Sequence, residues 1–282
     1  MKTEIHSVTR MGRISYINCL PFYHNFLGQP SPASFPYEIY ESYPSKINLA
    51  MRTGKIHIAP ISSLEYANHS DKYVLFPEIA IGARDFSGSV LLFSKEKLEH
   101  LDGKTIALSR QSLSSATLLK ILLKFKYKYA NKFVSSNASP TEMLSKASAA
   151  LVIGDDALFY KPEEFVYKYD LSELWWSWTE RPFCFAVWAV RKDYYEKNPE
   201  ETRFFFKELK ANAGRNLADI EKFLKDAMEI SFLDANFPTL YGYFFNLNYH
   251  LDKSLKEGLE LFYRLAHRLG AAPRPKEIAF IK

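Results

Sequence analysis

The sequence contains little of what covalent cross-links, metal sites and membrane segments require. It has only 2 cysteines in 282 residues, Cys19 and Cys184, and neither lies in a CxxC or Cys/His spacing typical of zinc sites. Residues 1–10 lack the apolar stretch of a signal peptide, and no apolar run approaches the ~18 residues that a membrane span needs. We therefore expect a cytoplasmic protein in a reducing compartment, with no membrane partner.

Sequence motifs for nucleotide, metal and serine-hydrolase chemistry are also missing. There is no GxxxxGKS or GxGxxG loop for phosphates, no HExxH pair for a metal, and no G-x-S-x-G turn. The 7 histidines are scattered, and each is expected at the surface or in a strand. We therefore predict a protein that uses neither a cofactor nor a metal.

Length and composition predict a globular protein with two lobes. A chain of 282 residues exceeds the usual size of a single core, so lobes of roughly 100 to 150 residues are expected. The formal net charge of +5 suits an anionic ligand, but it arises from 37 basic and 32 acidic residues without a charged tail. The basic run at 124–132 follows a leucine-rich helix, and we interpret it as a solvated helix end rather than a nucleic-acid patch.

What the sequence does contain is polar side chains where strands end. Two turns from a strand into a helix carry them: Ser15 and Asn18 in the first, and Ser62 and Ser63 in the second. In open α/β proteins the ligand binds outside the carboxyl ends of the strands, so these groups are candidate ligand contacts. The alternative is that they only cap the helices that follow.

A serine-rich turn and an acidic pair are further candidates. The turn carries Ser109, Ser112, Ser114 and Ser115 at the start of the leucine-rich helix. Its hydroxyls and free N–H groups suit a carboxylate, whereas simple N-capping would need only one serine.

The strand at 149–153 ends in Gly154, Asp155 and Asp156. The two carboxyls suit acid and base roles, although capping of the next helix is the simpler role.

The order of strands and helices predicts an α/β fold with a ligand cleft between two lobes. The N-terminal part has a β-α-β-α-β pattern, which is typical of a mostly parallel sheet. Two long apolar strands, 87–94 and 183–190, are expected to cross between the lobes. One discontinuous lobe is then predicted at 1–92 and 188–282, and the second at 93–187.

The sequence also predicts the secondary structure at the two ends of the chain. The first strand is expected to begin directly after Met11, with residues 1–10 as a dispensable extension or a misassigned start. From Pro199 onward the chain is predicted to be helical. The expected helices lie near 200–212, 216–228 and 253–269, and Gly270 ends the last one.

Six segments, in order along nearly the whole chain, resemble the chorismate dehydratase family of the futalosine route to menaquinone. They are 13–22 (RISYINCLPF), 58–67 (IAPISSLEYA), 88–94 (GSVLLFS), 151–158 (LVIGDDAL), 170–191 and 243–263. The resemblance implies the two-lobe fold of type II periplasmic solute-binding proteins in a cytoplasmic lyase. It also implies dehydration of the dicarboxylate chorismate to 3-[(1-carboxyvinyl)oxy]benzoate.

The resemblance also places functional residues. The family's functional Asn and Ser correspond to Asn18, expected to fix the ring and its leaving hydroxyl, and Ser89, expected to contact the ether or a carboxylate. Because no protein base is evident nearby, the enolpyruvyl carboxylate of the substrate is expected to take the proton. The other expected substrate contacts are Ser15, Tyr16, Ser62, Ser63, Ser109, Ser112, Ser114, Ser115, Gly154 and Asp155.

Two other functions fit the same pattern. The sister enzyme 1,4-dihydroxy-6-naphthoate synthase shares the fold, but its Ser-Pro-Cys-Pro-Asn-Asp type start is replaced here by SYINCLP at 15–21. A non-catalytic cytosolic solute-binding or sensor protein for a small carboxylate would also share the fold. Turnover of chorismate distinguishes these functions from a dehydratase.

Overall fold

The computed structural model describes residues 8–26, 35–164, 166–231 and 236–282. Its strands are β1 Thr9–Ile14, β2 Tyr37–Ser42, β3 Ile58–Ser62, β4 Tyr73–Ala83, β5 Val90–Ser94, β6 Thr105–Ser109, β7 Lys132–Ser136, β8 Ala149–Ile153, β9 Tyr167–Asp170, β10 Phe183–Arg191 and β11 Leu247–Leu251. The helices are α1 Leu20–Tyr23, α2 Pro44–Arg52, α3 Ser63–Asn68, α4 Leu113–Ile121, α5 Pro140–Lys146, α6 Gly154–Phe159, α7 Leu171–Thr179, α8 Lys192–Tyr195, α9 Pro199–Ala218, α10 Ile220–Ser231, α11 Phe237–Asn246 and α12 Lys253–Leu269.

The strands form two mixed sheets, which confirms the predicted two-lobe α/β fold. The first sheet has the order β11-β4-β10-β3-β1-β2, and the second has the order β7-β6-β8-β5-β9. The first sheet takes its strands from 9–83 and 183–251, and the second takes its strands from 90–170. The chain therefore passes between the sheets twice, in the connections at 84–89 and 171–182. The exact lobe boundaries at 92 and 188 stay a prediction.

In each sheet, the turns that carry polar groups lie at one edge. In the first sheet β1 runs parallel to β2 and β3, so these three strands end at the same edge. In the second sheet β6 runs parallel to β7 and β8. The antiparallel strand β5 begins beside the end of β8, because Val90 pairs with Ile153. Ser89, which precedes β5, therefore lies at the same edge as Gly154.

Several helices begin or end at residues that cap them. Ser112 and Asp252 cap α4 and α12 through side chains that accept a hydrogen bond from the backbone N–H three residues on. The predicted helix at 253–269 is confirmed, and Gly270 ends it at a φ of 81°. The predicted break between helices at 213–215 is wrong, since α9 continues to Ala218. The break lies at Asp219, whose carboxylate accepts from the Lys222 N–H at 3.0 Å.

Two strands of the first sheet are absent from the predicted pattern. β4 is 11 residues long, but Pro77 and the positive φ of 66° at Glu78 interrupt its alternation. β11 lies in the region predicted to be helical from Pro199 onward, and that prediction is wrong for these five residues. They alternate between buried and less buried positions because they pair with β4 as an edge strand.

The first strand begins earlier than predicted. Thr9 and Arg10 already belong to β1, and Thr9 is fully buried with its hydroxyl 2.7 Å from the Tyr194 hydroxyl. The prediction that residues 1–10 are dispensable is therefore wrong for these two residues, and residues 1–7 lie outside the described part of the chain. None of the described helices is both long and apolar enough to cross a bilayer.

Candidate functional site

A cavity lies between the two lobes, at the edges where the parallel strands end. The space free of protein atoms in and in front of it is about 580 Å³, a figure that includes solvent at its open side. Its lining residues are Ile14, Tyr16, Asn18, Pro44, Ser62, Ile81, Ser89, Val90, Ser112, Ser115, Ile153, Gly154, Phe185, Ala186 and Leu247. None of these lining residues has a charged side chain, so a bound ligand meets neutral hydrogen-bonding groups and apolar surface.

Asn18 reaches this cavity from the end of β1 in the first sheet, and Ser89 reaches it from the start of β5 in the second sheet. Asn18 lies in a single 3-10 turn, Ile17–Cys19, which follows β1. Ser89 directly precedes β5, and its carbonyl accepts from the Gly154 N–H at 2.7 Å. Both residues were predicted from the resemblance, and the structure brings them to one cavity.

Tyr243 of α11 supports this pair and was not predicted as a site residue. Its hydroxyl donates to Ser89 Oγ at 2.9 Å, and the Asn18 side chain also hydrogen-bonds to it. Burial raises the pKa of Tyr243 well above its usual value. The phenol therefore stays protonated at neutral pH. The only signal for Tyr243 in the sequence is its place in the 243–263 segment of the resemblance.

A buried carboxylate holds the turn that carries Ser89. Asp170 accepts from the backbone N–H groups of Ser87 at 3.0 Å, Gly88 at 2.7 Å and Ser172 at 2.8 Å, and from the Ser87 hydroxyl. Burial raises the pKa of Asp170, while these hydrogen bonds lower it in part. The turn is thereby attached to the start of α7, and the position of Ser89 depends on it.

Ser62 and the serines of α4 complete the polar part of the lining. The Asn48 side chain donates to Ser62 Oγ at 2.8 Å and accepts from the Ser62 N–H at 3.1 Å. On the other lobe Ser112 Oγ donates to Ser115 Oγ at 2.8 Å and accepts from the Ser115 N–H at 3.2 Å. Both serines line the cavity at the N-terminus of α4, where the helix dipole favours an anion.

Besides the bond between Tyr243 and Ser89, three hydrogen bonds among the described residues join the lobes across the cleft. Tyr16 donates its hydroxyl proton to Gln111 Oε1, the Ile17 N–H donates to Asp155 at 3.1 Å, and the Leu64 N–H donates to Ser114 Oγ at 2.9 Å. Burial raises the pKa of Asp155 from 3.8 to about 6; Asp156 adds to the rise and the Ile17 N–H opposes it. These three bonds close the cleft and involve six residues, of which Tyr16, Ser114 and Asp155 are predicted site residues.

The lack of a side chain at Gly154 allows the Tyr16 ring of the other lobe to come close to its backbone. Its φ is 64°, and a Cβ at this position would lie 2.6 Å from the ring of Tyr16. The Tyr16 ring of one lobe thus packs directly on the backbone of the other.

The structure places seven of the twelve predicted site residues on the cavity and five elsewhere. Those on the cavity are Tyr16, Asn18, Ser62, Ser89, Ser112, Ser115 and Gly154. The other five are Ser15, Ser63, Ser109, Ser114 and Asp155.

Each of the five has another contact. Ser63 donates to the Cys184 carbonyl at 2.6 Å, and Ser109 accepts from the Gln111 N–H at 3.3 Å. Ser15 donates its N–H to the Ser42 carbonyl, while Ser114 and Asp155 form the cross-cleft bonds above. Besides Tyr243, sequence reasoning missed two supporting side chains, Asn48 and Gln111. It also missed the apolar lining, which consists of Ile14, Pro44, Ile81, Val90, Ile153, Phe185, Ala186 and Leu247. Nothing local in the sequence marks these residues as part of a site.

Comparison with known proteins identifies relatives of this chain. A family model described as menaquinone biosynthesis matches residues 9–268. A chorismate dehydratase from Thermus thermophilus is 28% identical over 268 residues, which cover 89% of this chain and 93% of the relative.

Solved structures support the fold. A protein from Archaeoglobus fulgidus has a TM-score of 0.75 at 19% identity and covers 93% of this chain and 97% of its own. The periplasmic aliphatic sulphonate binding protein SsuA from Escherichia coli has a TM-score of 0.66 at 13% identity, with 98% and 96% covered. At these identities the likeness shows the two-lobe binding-protein fold alone.

Proposed function

The chain belongs to the menaquinone-biosynthesis family, and from this premise we propose that it is a lyase that dehydrates chorismate to 3-[(1-carboxyvinyl)oxy]benzoate. The observation that carries the proposal is the meeting of Asn18 and Ser89 in one uncharged cavity between the lobes. The relative named chorismate dehydratase supports the same assignment. Because Cys19 and Cys184 are both free and buried, a reducing compartment such as the cytoplasm suits the protein.

The reaction removes one water from the substrate. The C–H bond at the ring carbon that bears the enolpyruvyl ether breaks, its electron pair forms a ring double bond, and the C–O bond to the neighbouring hydroxyl breaks. The departing hydroxide and the abstracted proton together make water. Because the ring becomes aromatic, the protein needs to orient the substrate and stabilise developing charge rather than supply energy.

The neutral lining suggests which part of the substrate each residue binds. Asn18 is placed to hold the ring and its leaving hydroxyl, and Ser89 to bind the ether oxygen or its carboxylate. The N-terminus of α4, with Ser112 and Ser115, is placed to hold the other carboxylate. No carboxylate or imidazole lines the cavity among the described residues, so we assign the proton to the substrate's own enolpyruvyl carboxylate.

Incubation of purified protein with chorismate, followed by mass spectrometry and absorbance, tests the proposal. We expect an aromatic product lighter by one water, formed in step with chorismate loss. Asn18→Ala or Ser89→Ala should lower kcat by roughly 10²-fold or more. Ser145→Ala, whose exposed hydroxyl bonds only to the Glu142 carbonyl, is the control and should retain full activity.

Two outcomes would reject the proposal. Tight binding of chorismate without turnover would favour the solute-binding or sensor function. If the protein neither binds nor converts chorismate, the proposal is rejected and the sister naphthoate synthase activity is the next to test. Normal turnover by folded Asn18→Ala or Ser89→Ala protein would refute the residue assignments while leaving the reaction in place.

A further inference from the structure

Tyr243 lies just behind the cavity rather than in its lining. It belongs to α11, its side chain is 4% exposed, and it is not among the residues that line the cavity. Its ring packs on the turn before Ser89, because a Cβ at Gly88 would lie 3.4 Å from Tyr243 Cδ2. The phenol is thus fixed in place and has no direct access to a bound substrate.

The geometry of the heavy atoms favours one direction for the hydrogen bond between Tyr243 and Ser89. The Tyr243 hydroxyl donates and Ser89 Oγ accepts, at 2.9 Å. A serine hydroxyl has one proton and two acceptor positions. Because one acceptor position is filled from behind, the Ser89 proton is free to point into the cavity.

We propose that Tyr243 is a positioning residue that orients the Ser89 hydroxyl as a donor toward the substrate during dehydration. The assignment rests on the proposed function. When Ser89 donates to the ether oxygen, it withdraws electrons from the carbon that loses its hydrogen. No covalent bond to Ser89 or Tyr243 forms or breaks, and both residues end the turnover in the protonation state in which they began.

Tyr243→Phe removes the phenolic oxygen and keeps the ring. We expect kcat for chorismate to fall about tenfold, which matches the loss of one well-placed hydrogen bond. KM should stay within about twofold, because Tyr243 does not line the cavity. Tyr249→Phe is the matched control: Tyr249 is also buried, on the adjoining strand β11, and its hydroxyl has no hydrogen-bond partner among the described residues.

A double-mutant cycle separates positioning from a general structural role. In protein that already carries Ser89→Ala, Tyr243→Phe should lower kcat much less than it does in the unmodified protein, because only the part of its effect that passes through Asn18 remains. Thermal melting of all variants identifies any loss of folded protein, and rates are compared per folded molecule.

Three results would overturn the assignment. The first is a normal kcat for Tyr243→Phe while Ser89→Ala is impaired, and this result leaves the proposed function intact. The second is an equal fall in kcat with and without the Ser89 hydroxyl, which would mark a role through Asn18 or the fold rather than through Ser89. The third is absence of turnover in the unmodified protein, which would reject the proposed function and this assignment with it.

Discussion

Gly154→Ala is the substitution that most directly tests whether the closed cleft is the working state. The new Cβ would lie 2.6–2.7 Å from three atoms of the Tyr16 ring, closer than side-chain carbons approach one another. Tyr16 belongs to the other lobe, so opening the cleft relieves the overlap. The residue would also keep a φ of 64°, which costs a non-glycine residue about 1–2 kcal/mol.

The backbone strain and the overlap with Tyr16 affect different measured quantities. The backbone cost applies whether the cleft is open or closed, so it lowers the free energy of unfolding and reduces Tm by about 2–4 °C for each kcal/mol. The overlap applies only to the closed state and is worth about 1–3 kcal/mol, as for other overpacked sites. If substrate binds in the closed state, KM for chorismate should rise roughly 5- to 150-fold.

Gly103→Ala is the matched control. Gly103 has a φ of 70°, and a Cβ there would meet nothing within 4 Å. It should lose thermal stability to a similar extent and keep its KM. Steady-state kinetics and thermal melting of the two variants therefore separate the backbone cost from the contact. If Gly154→Ala has the same KM as Gly103→Ala, contact between Tyr16 and the second lobe does not limit substrate binding, and the reasoning is refuted.

Three further substitutions have defined outcomes. Because burial raises the pKa of Asp155 from 3.8 to about 6, the folded state binds more protons than the unfolded chain between these values. The free energy of unfolding should therefore fall as pH rises from about 4 to 6, and Asp155→Asn should flatten that slope in thermal melts; an unchanged slope would contradict the assignment. Asp170→Asn places an amide donor against backbone donors, so urea unfolding should show a loss of about 2–4 kcal/mol, and kcat should fall as the turn before Ser89 loosens. Gly258→Ala would bring a Cβ to 2.0 Å from the Pro182 carbonyl oxygen, and neither residue lines the cavity. Melting should show destabilisation of at least about 2 kcal/mol with KM unchanged, and a changed KM would argue against it.

The strand ends and the two-lobe plan could be predicted from the sequence because both follow from local patterns. A strand that runs into Ser62 and Ser63 is visible in the sequence, but the direction of each hydroxyl is not. Ser62 faces the cavity, whereas Ser63 bonds to the carbonyl of Cys184, which is 121 positions away. Ser114 likewise bonds to a backbone N–H that lies 50 positions away. Partners at such distances depend on how the lobes pack, which hydroxyl-rich composition does not specify.

The same separation explains why Tyr243 was missed, and it points to how a neutral site becomes specific. Without charged lining groups, the cavity relies on hydroxyls whose protons point in fixed directions, and a free serine rotates. Ser62 is held by Asn48, and Ser89 is held by Tyr243, each from a different element. In both cases a buried neutral group behind the lining orients the hydroxyl. The helix α11 therefore contributes to the site although Tyr243 does not reach the cavity, because it fixes the direction of a hydroxyl that does.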